Sequence, residues 1–369
     1  MKLKLKTHDF LDLLTTVIPA VSERSTLPIL SHFLIEAQDN IVKVYANDLE
    51  IGIESSMNTI VDKAGSATIP AKNLVNIVKV IDSKECNFKK INNNQFELST
   101  ENGNTTFNIN GREKEEFPVL PGLKEEKTIV LKAKDLIEGI NKTIFSVSRD
   151  ESRYVLCGIY MEVISGDFKM VSTDGRRLSF YNKKIENNKD NISAIIPTKA
   201  INVLDRAITD ENADIKISIS AKENQIYFSF GNTVIYSRLI EGDYPNYSQV
   251  IPDKPTKSII VKTEDILNAT RKMIAVTSER SLAVKCKFKN DSAIISTGPT
   301  EVGSGTSTIP VQYKGEEIEI SFNPEFIINS LKVIKSEHVK LGLSTPINPC
   351  KITPVSDEEN YIGVIMPMR

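Results

Sequence analysis

Thr173-Asp174-Gly175-Arg176-Arg177-Leu178-Ser179-Phe180 is the stretch richest in chemical possibility. A carboxylate and two guanidiniums within four residues could hold a phosphoryl or sugar group. Gly175 permits a tight turn. A phosphate loop, a substrate clamp and a hairpin turn all fit these residues alone. A phosphate loop needs a helix behind it, and Arg177-Leu178-Ser179-Phe180-Tyr181 reads instead as a strand. Elsewhere the chemistry is sparse. The three histidines, His8, His32 and His338, form no H-E-x-x-H. Cys86, Cys157, Cys286 and Cys350 form no C-x-x-C pair, which suits free thiols in a reducing compartment. There is no P-loop, G-x-G-x-x-G or G-x-S-x-G. No catalytic residue, metal site or cofactor is expected.

Composition sets the outer limits. A chain of 369 residues exceeds what one core comfortably serves, so several domains are expected. A net charge of −2 gives no global signal for nucleic acid, but a basic face can be offset by an acidic one. MKLKLKTHDF lacks a secretory apolar region, and no run approaches the ~18 apolar residues of a membrane span. A soluble, cytoplasmic protein is expected.

The elements that must position the arginine pair repeat three times. Residues 2–25, 127–150 and 257–280 align, with Asp9, Asp135 and Asp265 coinciding at offsets of 126 and 130. Each unit opens with an alternating strand and enters a helix with an acidic first turn. Phe10, Leu136 and Ile266 match, as do Ile18, Ile144 and Ile274, at the spacing of one buried helix face. A second helix follows near Pro70, Pro197 and Pro324, which are 127 residues apart. Leu74, Ile201 and Ile328 match within it, as do Ile77, Leu204 and Leu331. Alternating runs with Asn-Gly or Gly-Asn turns read as antiparallel strands. The fold class is α+β. Three tandem domains of two helices on antiparallel sheet are expected at 1–125, 126–253 and 254–369.

The polar faces of the six helices lean basic. The first helices carry Thr15, Thr16, Asn141, Lys142, Arg271 and Lys272, and the second carry Lys72, Lys79, Lys199, Arg206 and Lys332. Any one such face is ordinarily just solvated. Six together would attract a phosphate backbone without reading bases.

These residues resemble a family. RSTLPILSHFLIEA (24–37), ESRYVLCGIYME (151–162), STDGRRLS (172–179), EGDYPNYSQVIP (241–252) and the terminal VIMPMR (364–369) are similar to bacterial DNA polymerase III β subunits, the sliding clamps. The resemblance spans the whole chain. It implies a head-to-tail homodimer whose two three-domain chains close a ring on duplex DNA, with helices lining the hole. Three units per chain suit this, since two chains close symmetrically. It implies no catalysis. The DNA polymerase III α subunit, the clamp loader and other proteins with clamp-binding motifs would dock as short peptides.

The resemblance also assigns residues. It implies a peptide pocket of Leu156, Thr173, Gly175, Arg176, Arg177, Leu178, Pro245, Val250, Val364, Ile365, Met366, Pro367, Met368 and Arg369. Methionine, leucine and proline make an adaptable trough, and Arg177 or Arg369 could anchor a carboxylate. DNA contacts fall to Arg24, Lys72, Arg153, Tyr154 and Lys199, with Arg280 a weaker candidate. Phe107 and Ile109 either pack across a dimer interface against Ala275 and Val276 or belong to their own domain's core. Two departures stand out. Arg176 replaces the histidine of many relatives, and Gln249 stands where some have arginine.

Two rival readings remain: an enzyme built on Asp174 and the arginines, and a β-rich scaffold binding only proteins. YANDLEIGI (45–53) and STGPTEVGS (296–304) occupy the places equivalent to TDGRRLSF, so the arginine pair is particular to the middle unit. One wall of a docking pocket is the expected role.

Overall fold

A computed structural model describes residues 1–22, 26–92, 94–118, 127–186, 190–277, 283–356 and 360–368. They include six α-helices: α1 (Thr7–Val17), α2 (Ala71–Val80), α3 (Ala133–Thr143), α4 (Thr198–Ala207), α5 (Thr263–Ile274) and α6 (Pro324–Lys332). Each repeat thus supplies two. The chain packs as two compact units, residues 1–133 with 199–239, and residues 134–198 with 240–369.

The first unit holds two antiparallel sheets. One runs Ile60–Lys63, Lys2–Lys6, Glu85–Lys90, Gln95–Thr100, Thr106–Asn110. The other has eight strands: Lys127–Lys132, Asp214–Ser220, Gln225–Phe230, Thr233–Arg238, Ile51–Asn58, Ile41–Asn47, His32–Gln38, Gly65–Pro70. Its middle is a splice between repeats, where Thr233–Ser237 pairs antiparallel with Ser55–Ile51. Ser55 and Thr233 also bond side chain to side chain at 2.8 Å in the buried junction.

The second unit repeats the plan. Its eight strands run Ile192–Pro197, Gly158–Ile164, Asp167–Thr173, Arg177–Lys184, Tyr361–Ile365, Cys350–Pro354, His338–Leu343, Lys257–Lys262. The splice pairs Arg177–Tyr181 with Ile365–Tyr361. A four-stranded sheet, Thr306–Pro310, Ser292–Thr297, Val284–Lys289, Ile318–Phe322, closes the unit. Its main core runs from Ile259 and Val261 through Ile266 and Leu331 to Ile365, all at most 2 % exposed. Burying one such aliphatic side chain is worth ~1.5–3 kcal/mol.

The repeat pattern reads well against this fold. Asp9, Asp135 and Asp265 lie in first turns. Phe10, Leu136 and Ile266 are buried, as are Leu74, Ile201, Ile328, Leu204 and Leu331. Pro324 opens α6, while Pro70 caps α2 from the strand before it. The Gly231-Asn232 turn joins Phe230 to Thr233.

Two expectations need correction. Ile18 and Ile144 are only half-buried and Ile274 is 38 % exposed, because each sits where its helix ends or passes into a 3-10 turn. Lys142 does not lie on a solvated face. It is 2 % exposed. Its ammonium meets Glu138 at 3.0 Å, one helical turn away, and lies 5.6 Å from the Tyr181 ring centre. The Tyr181 hydroxyl donates to Glu138 at 3.0 Å. Burial works to raise the Glu138 pKa, but Lys142 and Tyr181 outweigh it and hold the carboxyl below its ordinary range. A lysine in this position is buried because its partner is supplied by the same helix.

His32 is buried at the start of its strand, with Nδ1 3.1 Å from the Pro28 carbonyl. Burial, which outweighs the Pro28 bond, lowers its pKa below the ordinary 6.5. The folded chain therefore favours neutral His32. That stability is complete above the unfolded pKa and is lost as pH falls through the folded one. Urea unfolding of wild type between about pH 7.5 and about 5 should show more acid loss than His32→Gln. Parallel pH curves for the two proteins would contradict this.

Candidate functional site

The Thr173–Arg177 turn is held by its own side chains. The Gly175 N–H donates to Thr173 Oγ1 at 3.0 Å, and Thr173 Oγ1 donates to the Arg177 carbonyl at 2.6 Å. Asp174 Oδ1 accepts from the Arg176 and Arg177 N–H groups at 2.9 and 3.0 Å. This is the Asx-turn chemistry that suits aspartate to such corners. Gly175 has φ +81°, and a Cβ there would stand 2.8 Å from Arg153 Nη1. Arg153 donates to the Asp174 carbonyl at 2.7 Å and to Asp150 at 3.0 Å. Arg153 therefore braces the turn from outside.

The chain's last described residues lie against this turn. The Met366 N–H donates to the Arg176 carbonyl at 2.9 Å, and the Met368 N–H donates to the Ser321 carbonyl at 2.8 Å. Met366, whose backbone meets Arg176, and Met368 are 37 % and 38 % exposed. Arg369 lies outside the described residues.

Between them is an apolar floor. Val171, Leu178 and Val364 form one cluster, covered by half-buried Tyr160, Phe180, Tyr244, Tyr247, Ile251 and Ile362. Tyr160 stacks on Tyr244 with ring centres 5.1 Å apart. Burial pushes the Tyr160 phenol up to about 12, helped by its bond to Glu162. Pro245 and Val250 are exposed on the segment carrying these tyrosines. Leu156 is buried at the end of the 3-10 helix Glu151–Leu156. The fold thus brings the strand after the turn, the tyrosine segment and the last strand onto one apolar cluster. Ile365 is the exception. Strand alternation turns it into the main core at 0 % exposure, so only its backbone reaches the site. Tyr160, Tyr244 and Tyr247 were missed by sequence reasoning, although ESRYVLCGIYME and EGDYPNYSQVIP carried them.

The same turn recurs in the first unit. Asn47 Oδ1 accepts the Leu49 N–H at 2.7 Å, and Asp48 Oδ1 accepts the Glu50 and Ile51 N–H groups at 3.1 and 2.9 Å. Leu49 has φ +76°, matching Gly175. The Arg238 N–H donates to the Glu50 carbonyl at 2.9 Å, as Met366 does to Arg176. Only the arginine pair is particular to the middle repeat; the turn is common to two. The floor differs. Gly52 and Tyr236 stand paired where the second unit has Leu178 and Val364. A Cβ on Gly52 would fall 2.1 Å from the Tyr236 ring, so that ring fills the space.

The remaining candidates scatter. Lys72 is exposed on α2, and Tyr154 is 58 % exposed. Lys199, at the start of α4, pairs with Asp48 and lies 3.3 Å from Glu50. Burial opposes its charge, but these two carboxylates outweigh it and raise its pKa. On α1 the exposed residues are His8, Asp9, Asp12 and Thr15, with His8 2.9 Å from Asp12, so that face is acidic. Arg24 and Arg280 lie outside the described residues. Phe107 is half-buried and Ile109 is 6 % exposed on Thr106–Asn110, an edge strand. Ala275 is exposed and Val276 half-buried beside Gly305, next to the other edge, Thr306–Pro310. Among the described residues no group of three or more His, Cys, Asp or Glu could hold a metal ion. None of the described helices is long and apolar enough to cross a membrane.

Three repeats, each with two helices and antiparallel sheet spliced strand to strand onto the next, define a protein of the DNA-clamp class. Models of the DNA polymerase III beta subunit match in order: the N-terminal domain at residues 1–121, the central domain at 130–246 and the C-terminal domain at 248–369. The beta sliding clamp of Chlamydia muridarum is 30 % identical, covering 100 % of this chain and 99 % of its own. That of Halalkalibacterium halodurans is 31 % identical, covering 96 % and 95 %. The Bacillus subtilis DNA polymerase sliding clamp superposes with TM-score 0.95 at 28 % identity, covering 100 % and 99 %. The chain belongs to the DNA polymerase III beta subunit family, the beta sliding clamps, and serves as a non-catalytic processivity factor.

Gly52→Ala should force Tyr236 out of its seat and destabilise the first unit by ~1–3 kcal/mol, the usual cost of overpacking. A lowered urea midpoint for the earliest transition checks it, and an unchanged midpoint would argue that Tyr236 rotates away freely.

Proposed function

We propose that two copies of this chain close head to tail into a ring on duplex DNA. The observation that carries this is the sheet pattern. Two splices within the chain each join a strand of one repeat to a strand of the next. Among the described residues, Thr106–Asn110 and Thr306–Pro310 each end a sheet with one edge unpaired. A third splice between these edges, formed with a second copy, would leave no open edge at that junction. Phe107 and Ile109 of one chain would then approach Ala275 and Val276 of the other. The domains of the ring are 1–125, 126–253 and 254–369.

Duplex DNA is held through its phosphates without base reading. Lys72, Arg153, Tyr154, Lys199 and Arg24 are the contacts we assign. Lys199 and Arg153 already hold carboxylates, so phosphate must compete for them. That suits a protein that slides. The trough of Leu156, Thr173, Gly175, Leu178, Pro245, Val250, Val364, Met366, Pro367 and Met368, with Arg176 on its rim, docks short peptides, and we assign Arg369 to the same role. These peptides come from the DNA polymerase III α subunit, the clamp loader and other replication and repair proteins. The chain works in the cytoplasm.

Loaded onto nicked circular DNA, the protein should be retained through gel filtration and lost once the circle is cut. Equal retention on circular and linear DNA would sink the ring. Deleting Met366 to Arg369 should abolish capture of a leucine- and phenylalanine-bearing peptide while the dimer persists in sedimentation. Undiminished peptide affinity in the truncated chain would remove the trough assignment.

A further inference from the structure

We propose that Arg177 positions the trough and does not touch the docked peptide; this rests on the peptide-docking reading above. Strand alternation makes the first argument. Leu178 faces the trough floor, so its neighbour Arg177 must point to the opposite face. There two of its donors are engaged. Nε donates to Asp174 Oδ2 at 3.0 Å, and Nη2 donates to the Phe145 carbonyl. The guanidinium lies 4.5 Å from the Phe326 ring centre and 5.7 Å from that of Phe145. Nη1 is buried with no hydrogen-bond partner, and the side chain is only 12 % exposed. A guanidinium packed on two rings, pinned to a carboxylate and buried at its remaining donor presents no exposed fork to a peptide carboxylate.

The partners show what is being positioned. Phe145 follows α3 in the middle repeat, and Phe326 lies in α6 of the third. Both pack against the third repeat's core. Arg177 thus ties the turn that forms one wall to the repeat whose last residues form the other. The Met366-to-Arg176 bond lies one residue away.

The first unit supplies an internal control. Its matching turn, Asn47–Ile51, keeps every Asx bond with Ile51 where Arg177 would be. The arginine is therefore not needed to form the turn. Its added role is the link to Phe145 and Phe326.

The test titrates a fluorescein-labelled peptide carrying leucine and phenylalanine, with either a free or an amidated C-terminus, into full-length protein. Wild type, Arg177→Lys, Phe326→Leu, their double variant and the chain lacking Met366–Arg369 are compared, each checked for native circular dichroism. Arg177→Lys and Phe326→Leu should each weaken both peptide forms by the same factor, about tenfold, with the double variant no worse than the weaker single. Amide exchange at Met366 should quicken in both. Multiplying losses, unchanged affinity, or a loss in Arg177→Lys confined to the free-carboxylate peptide would each overturn the proposal. Should Arg177→Lys lose its native circular dichroism, Phe326→Leu with amide exchange decides alone. If wild type fails to bind, or the truncated chain binds equally well, the trough reading falls with it.

Discussion

Backbone pairing between successive repeats is the constraint on which the rest depends. Arg177–Tyr181 can reach Ile365–Tyr361 only if the third repeat folds back until its terminus meets the second. Once paired, register fixes everything beside it. Leu178 and Val364 fall opposite each other on the trough side, and Arg177 and Ile365 fall together on the core side. A slip of one residue would exchange those faces, placing an arginine in the floor and a leucine against Asp174. The proposed trough is thus a consequence of the sheet rather than a feature laid on it.

The repeat was legible because it rests on local rules. Acidic first turns, apolar spacing and turn residues survive in three versions, and the helices fall where those signals put them. What escaped depended on contacts distant in sequence. Lys142 looks like any exposed helix lysine until Glu138 and Tyr181 enclose it. Arg177 looks like an anchor for ligands until strand alternation and the rings of Phe145 and Phe326 are seen together. Ile274 has the right spacing but sits at a helix end, where the buried stripe runs out. Periodicity predicts which face is buried; it does not predict where a helix stops mattering to the core.

Charge was the least transferable reading. Counting basic residues on six helices overstated the free positive charge. Lys142 is enclosed and Lys199 meets Asp48 and Glu50; off the α-helices, Arg153 likewise meets Asp150. The exposed pairs among these contribute little to stability, commonly ~0–1 kcal/mol. In the proposed DNA contacts, a phosphate would meet a cation already accompanied by a carboxylate, which the polyanion would have to displace. Such exchange would favour many weak contacts over a few tight ones, as the proposed sliding on a backbone requires.

The paired turns show how one fold carries two outcomes. Asn47–Ile51 and Thr173–Arg177 share their Asx bonds, their left-handed third residue and the backbone bond from the following splice. Turn geometry therefore cannot be what makes a trough. The difference lies beside it, in one cross-strand pair. Gly52 leaves room that the Tyr236 ring fills, whereas Leu178 and Val364 are short enough to leave a floor beneath the tyrosines. Backbone architecture repeats because pairing demands it. The side-chain volume at that pair is under no such demand, and there the two junctions have parted.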